Sequence, residues 1–286
     1  MNKQISIVEC PRDAMQGFSH FIDTSVKIKY INQLLKCGFD TIDFGSFVSP
    51  KAIPQLKDTI EVLNGLELSS TTSKLLAIVA NDRGAKDALE HSEIDVLGFP
   101  LSLSETFQQR NTNASIDEAW KILGGIHDRV AARNKSMVVY LSMGFGNPYE
   151  DRWNVELLFE FSRNLFEKLG ITTIALSDTI GAATPTLTND VFQSIIPALP
   201  KVEFGAHMHV NPKNAHSIIA AAYEGGCRRF DSAIRGFGGC PMAKDELVGN
   251  LPTEKLIEWL NESTIQHTIS SNSFQEAFEL SQSVFA

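Results

Sequence analysis

No stretch of this chain is long and apolar enough for a membrane span, which needs about twenty consecutive apolar residues. Basic charge is scarce as well: 25 Lys and Arg stand against 34 Asp and Glu, a net charge of −9. A nucleic-acid backbone is bound through a basic face, so nucleic acid is excluded as the main ligand, while a few local cations still suffice for a phosphorylated cofactor. Cysteine is sparse. Cys10, Cys37, Cys227 and Cys240 lie far apart with no Cys-x-x-Cys pair, which excludes a structural zinc site and a disulfide framework. The first residues run into Ile5-Ser6-Ile7-Val8 with no basic-then-apolar signal and no Arg-rich presequence. These absences together lead us to expect a soluble cytoplasmic protein with reduced thiols.

What is present is a large apolar content, 43% of 286 residues, enough for one extensive core. Eight short runs read as strands from their length, branched residues and flanking turn signals: Ile5–Glu9, Thr41–Phe44, Leu75–Ala80, Ile94–Phe99, Met137–Ser142, Thr172–Ser177, Val202–His209 and Arg228–Ala233. Helical periods lie between them. One stripe, Val26 to Leu35, is expected to end at Gly38. Another starts after an N-cap at Ser115, a third covers Trp153–Leu169 and stops at Gly170, and a fourth covers Asn214–Tyr223 before Gly225-Gly226. Strict alternation implies right-handed crossovers and a parallel sheet. Eight repeats favour closure into a (β/α)8 barrel, and the doubly wound alternative lacks a Gly-x-Gly-x-x-Gly after its first strand. The expected organisation is a single barrel domain over 1–286, with additional C-terminal helices from about residue 251 packing on the barrel.

Barrel active sites gather at the C-terminal ends of the strands, and the polar groups of this chain do the same. The first strand runs into Arg12-Asp13, the sixth into Asp178-Thr179-Ile180-Gly181, and the seventh ends in His207-Met208-His209. The eighth leads to Gly238-Gly239-Cys240-Pro241 and then Asn250. Residues two apart on a strand face one way, so His207 and His209 point together about 6–7 Å apart along the backbone. With Asp13 they form a carboxylate–imidazole set suited to a divalent ion, Mg2+, Mn2+ or Zn2+, and Asn250 can add a neutral oxygen. Arg12 cannot ligate a metal and is permanently charged, which suits it to stabilise an oxyanion. Cys240, between glycines and a proline, reads as a loop thiol able to move a proton. Cys37 and Cys227 read as buried and inert, and Cys10 as either packed or lining the barrel mouth.

These residues, together with Ser46-Phe47-Val48-Ser49-Pro50-Lys51, the stretch from Ser104 to Asn113 and Gly239-Cys240-Pro241, resemble the 3-hydroxy-3-methylglutaryl-CoA lyase family over nearly the whole chain. That family belongs to a wider group of metal-dependent barrel lyases and synthases. The resemblance implies a retro-Claisen cleavage of a small acyl-CoA substrate, a 3-hydroxyacyl-CoA, to acetyl-CoA and a 3-oxo acid. It implies that Asp13, His207, His209 and Asn250 hold the cation and that Arg12 stabilises the enolate. Cys240 would transfer a proton, Asp43 would stand as a carboxylate where the family has Glu, and Asp178 would orient the site or share in proton transfer. A homodimer is a further family expectation. The chain departs from the pattern in Ala14, in Val210-Asn211-Pro212-Lys213 after the histidines, and in a Cys240-to-Asn250 loop one residue longer; none of these deletes a ligand. An aldolase of a free hydroxy acid, a condensing synthase and a catalytically silent metal-binding barrel stay open as alternatives. A metallohydrolase is disfavoured, because in amidohydrolase-type barrels the His-x-His pair ends the first strand.

Overall fold

The computed structural model describes residues 4–239 and 248–286. Its strands are β1 (Ser6–Glu9), β2 (Thr41–Ser46), β3 (Lys74–Ile78), β4 (Val96–Ser102), β5 (Ser136–Ser142), β6 (Thr173–Asp178), β7 (Glu203–Met208) and β8 (Arg229–Ser232). All pair in parallel and in sequence order, and β8 returns to β1, so the sheet is a closed barrel. The expected (β/α)8 fold is therefore the observed one. The strand ends differ slightly; β4 continues to Ser102, past the expected Phe99.

The helices number α1 (Pro11–Gln16), α2 (Thr24–Leu34), α3 (Thr59–Asn64), α4 (Asp82–Leu89), α5 (Glu105–Thr112) and α6 (Ile116–Ala132). They continue with α7 (Val155–Leu169), α8 (Pro185–Ala198), α9 (Ala215–Glu224), α10 (Thr253–Glu262) and α11 (Ser271–Val284). α10 packs on α9, and α11 packs on α2, which lays the C-terminal helices along the outside of the barrel.

The alternation of strand side chains divides the core into two layers. On β3, Leu75 and Ala77 join the large cluster between strands and helices, whereas Leu76 and Ile78 point inward to Val96, Val138, Tyr140 and Ala175. Helix limits follow local hydrogen bonding. Ser115 accepts from the Glu118 amide while the Glu118 carboxylate accepts from the Ser115 amide, a reciprocal capping box. Asn154 caps α7, and Gly170 closes it in the left-handed region, as expected. The first stripe behaves differently. α2 stops at Leu34 rather than running to Gly38, because Lys36 N–H and Cys37 N–H bond three residues back, to Gln33 and Leu34, and tighten the last turn.

The Ser115 box predicts a measurable stability. Ser115→Ala should cost about 1 kcal/mol, a fall of about 2–4 °C in the melting midpoint followed by circular dichroism. An unchanged midpoint would show that the box contributes nothing.

Candidate metal centre and active site

Immediately after β1, Cys10 precedes α1 and Pro11 takes its first position, where a missing N–H costs nothing. The chain thereby turns sharply across the barrel mouth, and Arg12 and Asp13 are buried in the first turn of α1. Arg12 Nε lies 3.0 Å and Nη2 2.5 Å from Asp43 Oδ2 on β2. Its Nη1 donates to Asp13 Oδ1 at 3.0 Å and to Gln16 Oε1 at 2.9 Å. Gln16 also donates to Asp13 Oδ1, and Asn250 Nδ2 donates to Asp13 Oδ2 at 2.6 Å. The register of β2 against β3 shifts between Asp43 and Gly45, a bulge beside the site.

The opposite wall comes from the end of β7. His207 lies in register with Ser177 on one side and Asp231 on the other. Past the strand end, His209 forms an antiparallel bridge with Asn250, framed by Val210 N–H to Gly249 O and Leu251 N–H to Met208 O. This short pairing delivers Asn250 from far along the chain. Gly238 completes the approach: it has φ +103°, and a Cβ there would sit 2.9 Å from the Asp13 carbonyl and collide with the Asn250 amide.

Ligand-type atoms of Asp13, His207 and His209 lie within 4.8 Å of one another. Arg12, Asp13, His207 and His209 all line one cavity of about 310 Å3 at the C-terminal mouth, with Ser46, Tyr140 and Ser142. A larger cavity, about 460 Å3, opens at the opposite mouth among Asp40, Lys74 and Arg229, away from the two histidines. The position of the reactive groups, rather than cavity size, identifies the C-terminal mouth as the site.

The protonation states of Asp13 and His209 suit a cation. At His207, burial is outweighed by the Asp231 hydrogen bond and charge and by Asp13, which raise it, so a cation would displace its proton. Burial, with the neighbouring His207 charge, lowers His209 to about 4, so its imidazole is neutral, and its buried Nδ1 has no hydrogen-bond partner. Burial opposes ionisation of Asp13, but Arg12, His207, His209 and the Asn250 hydrogen bond outweigh it and hold the carboxyl below its usual range. Burial pushes Asp43 up to about 6 against the pull of Arg12, which still leaves it mostly ionised at neutral pH. A second trio, Cys10, His207 and Asp231, is equally close together. It is the poorer ligand set: burial and surrounding carboxylates keep the Cys10 thiol protonated, and Asp231 is already bonded to Arg229 at 2.6 Å.

The structure brings together Arg12, Asp13, Asp43, His207, His209 and Asn250 of the residues singled out from sequence. Cys240 lies outside the described residues. Asp178 is buried, but its carboxylate accepts from the Ala182 and Ala183 amides at 2.9 and 2.8 Å, which shapes the turn after β6. Cys37 and Cys227 are buried, and burial raises both thiols to about 12. Sequence reasoning missed Gln16, Asp231 and Arg229. The last two had a signal: Arg229-Phe230-Asp231 places two charges on one face of a barrel strand.

The fold and site together define a barrel enzyme with a polar, cation-ready centre at its C-terminal mouth. The HMGL-like family profile matches residues 4–281, and the chain belongs to that family. It is 35% identical over 268 residues to the hydroxymethylglutaryl-CoA lyase of Bacillus subtilis, covering 93% of this chain and 88% of that protein. With the mitochondrial hydroxymethylglutaryl-CoA lyase of Mus musculus it shares 33% over 278 residues, 96% of this chain and 84% of the other. A crystal structure of the Bacillus HMG-CoA lyase superposes with a TM-score of 0.91 at 33% identity, covering 99% of this chain and 94% of that one. The HMG-CoA lyase of Acinetobacter baumannii, in complex with coenzyme A and 3-methylmalate, gives 0.90 at 30% identity, with 99% and 91% covered. The chain is accordingly an HMG-CoA lyase-like enzyme.

Beneath the loop that leads to Asn250 lies Glu9, fully buried. One oxygen accepts from Ile234 N–H at 2.9 Å and the other from Thr253 Oγ1 at 2.6 Å, so a single carboxyl ties both flanks of the loop to β1. Burial raises it from 4.5 to about 8. The folded state thus holds a proton that the unfolded chain releases, a stabilisation complete below pH 4.5 and lost as pH rises through about 8. Glu9→Gln keeps the acceptor for Ile234 and removes the ionisation. Urea midpoints between about pH 6 and 9 should therefore fall less steeply in Glu9→Gln than in the parent; equal slopes would contradict the assignment.

Proposed function

We propose that this enzyme cleaves a 3-hydroxy-3-methylglutaryl-CoA-like thioester to acetyl-CoA and acetoacetate, with a divalent cation, Mg2+ or Mn2+, held by Asp13, His207, His209 and Asn250. The observation that carries this is the convergence of the Asp13, His207 and His209 ligand atoms beside Arg12, in one cavity at the catalytic mouth. The donor set fits such an ion: one ionised carboxylate, a neutral buried imidazole with an orphaned nitrogen, and an amide. When bound, the cation supplies Lewis-acid polarisation of the substrate hydroxyl and carboxylate.

The reaction removes the hydroxyl proton, forms a carbonyl at that carbon and breaks the bond to the thioester α-carbon. The electron pair passes into the enolate of acetyl-CoA, which a proton then quenches. Arg12 is the sink for the enolate charge. Four of its five N–H groups are engaged by Asp43, Asp13 and Gln16, which locks the guanidinium plane, and one N–H on Nη2 stays available toward the cavity. Asp43 holds Arg12 in place with two-point contact. Cys240 is the proposed proton carrier, and Asp178 supports the site through the turn it shapes. The wide spacing of the four cysteines agrees with a reducing, cytoplasmic setting.

The test is release of acetyl-CoA from 3-hydroxy-3-methylglutaryl-CoA, present with Mg2+ or Mn2+ and abolished by a chelator. Arg12→Gln should lower kcat by about 100- to 1000-fold while Mn2+ is still bound. No turnover of that thioester, but turnover of a free 4-hydroxy-2-oxo acid, would replace the reading with an aldolase. Unchanged kcat in Arg12→Gln would remove the oxyanion role.

A further inference from the structure

A buried arginine in the middle of the barrel has no part in the chemistry above. Arg229, at the start of β8, is 4% exposed: it lines the cavity at the N-terminal end, and its Nη1 donates to Asp231 Oδ1 at 2.6 Å. Its room comes from the strand beside it. Arg229 is in register with Gly205 on β7, and a Cβ on Gly205 would lie 2.8 Å from Arg229 Nη1 and 3.3 Å from Cγ and Cδ. The guanidinium therefore lies across the β7 backbone at the one place where that strand carries no side chain. From β5, Tyr140 stands beside it, and Glu203 adds negative charge from β7.

Two residues further along β8, Asp231 is 2% exposed and uses both oxygens: Oδ1 faces Arg229, and Oδ2 lies 3.3 Å from His207 Nδ1. Asp231 and His207 are paired in register across β7 and β8, so the backbone alone already sets their separation. A buried carboxylate with one free oxygen can rotate about its χ2 bond, whereas one held at both oxygens cannot. A carboxylate fixed in this way accepts Nδ1–H and leaves Nε2 as the imidazole nitrogen with a lone pair.

We propose that Arg229 is a positioning residue of the metal centre: clamped in the gap over Gly205, it fixes the Asp231 carboxylate, which in turn fixes the tautomer and plane of the ligand His207. The inference rests on the metal reading above and adds a residue to it that touches neither cation nor substrate. Arg229 acts from the far side of the barrel, one carboxylate removed from the imidazole.

The experiment uses the full chain in three forms: parent, Arg229→Gln and Arg229→Lys. Free Mn2+ is followed by electron paramagnetic resonance, and the His207 tautomer by 15N-imidazole NMR of the metal-free protein. The parent should bind Mn2+ and show His207 protonated at Nδ1. Arg229→Gln should bind Mn2+ about 10- to 100-fold more weakly and show a mixture of tautomers, the size typical of losing a partner behind a metal ligand. Arg229→Lys keeps the charge without the fork and should fall between, about threefold or more weaker than the parent. An arginine that merely plugs the barrel would lower the melting midpoint and leave both readouts unmoved. If Arg229→Gln does not fold, Arg229→Lys decides by the same two readouts. Parent-like Mn2+ affinity and a parent-like tautomer in the folded variants overturn the role of Arg229 while leaving the metal reading intact. A parent that takes up no Mn2+ overturns the metal reading and this one with it.

Discussion

Everything at the catalytic mouth depends on burying three carboxylates together. Asp13, Asp43 and Asp231 are each at most 5% exposed and come from neighbouring parts of the barrel, the turn after β1, β2 and β8. Unpaired, such groups would take up protons or unfold the mouth, because burying a lone ionised carboxylate costs far more than any single contact returns. Two guanidiniums answer them, Arg12 against Asp43 and Asp13, and Arg229 against Asp231. Three negative and two positive charges leave one negative charge, a remainder suited to a divalent ion once His207, like His209, gives up its proton to ligation. The resulting centre would carry one positive charge toward an anionic substrate. The charge balance thus links the barrel's buried network to the chemistry proposed for it.

The barrel fold makes this balance geometrically possible. Parallel strands in register bring His207 opposite Asp231, and Gly205 opposite Arg229, without any adjustable loop. The remaining partners come from turns that the backbone holds tightly: α1 swings Arg12 and Asp13 inward, and the bridge between His209 and Asn250 carries the amide across. Glu9 lies below that bridge, where its carboxyl holds Ile234 and Thr253. Among the described residues, the site is accordingly built from fixed elements: the first turn of α1, the ends of β2, β7 and β8, and the bridge to Asn250. Preorganised donors of this kind need no rearrangement when charge develops on the substrate.

Much of this was legible in the sequence, for definite reasons. Strands and helices alternate with clear periods, so the closed barrel and each strand could be read from local pattern alone. His207 and His209 are visible because a spacing of two on a strand has one geometric meaning. Asp13 follows because it comes just after the first strand, at the same rim. The C-terminus of α2 falls short of Gly38, since its last turn tightens on three-residue hydrogen bonds that an apolar stripe does not encode. Asp178 carries the right chemistry in the right loop, yet its oxygens are turned to backbone amides, a detail no residue pattern encodes. Arg229 and Asp231 escaped because their meaning lies in a neighbour: only the register of β8 against β7 shows that a glycine opens space for one and a histidine awaits the other.

The central claim, a divalent cation at the mouth balanced by this network, is tested most directly by a crystal of the full chain soaked in Mn2+ and measured at the manganese absorption edge. The account predicts one anomalous peak among Asp13, His207 and His209, with the Asn250 side chain turned toward it. A peak between Cys10, His207 and Asp231 instead, or none at the mouth, would contradict it.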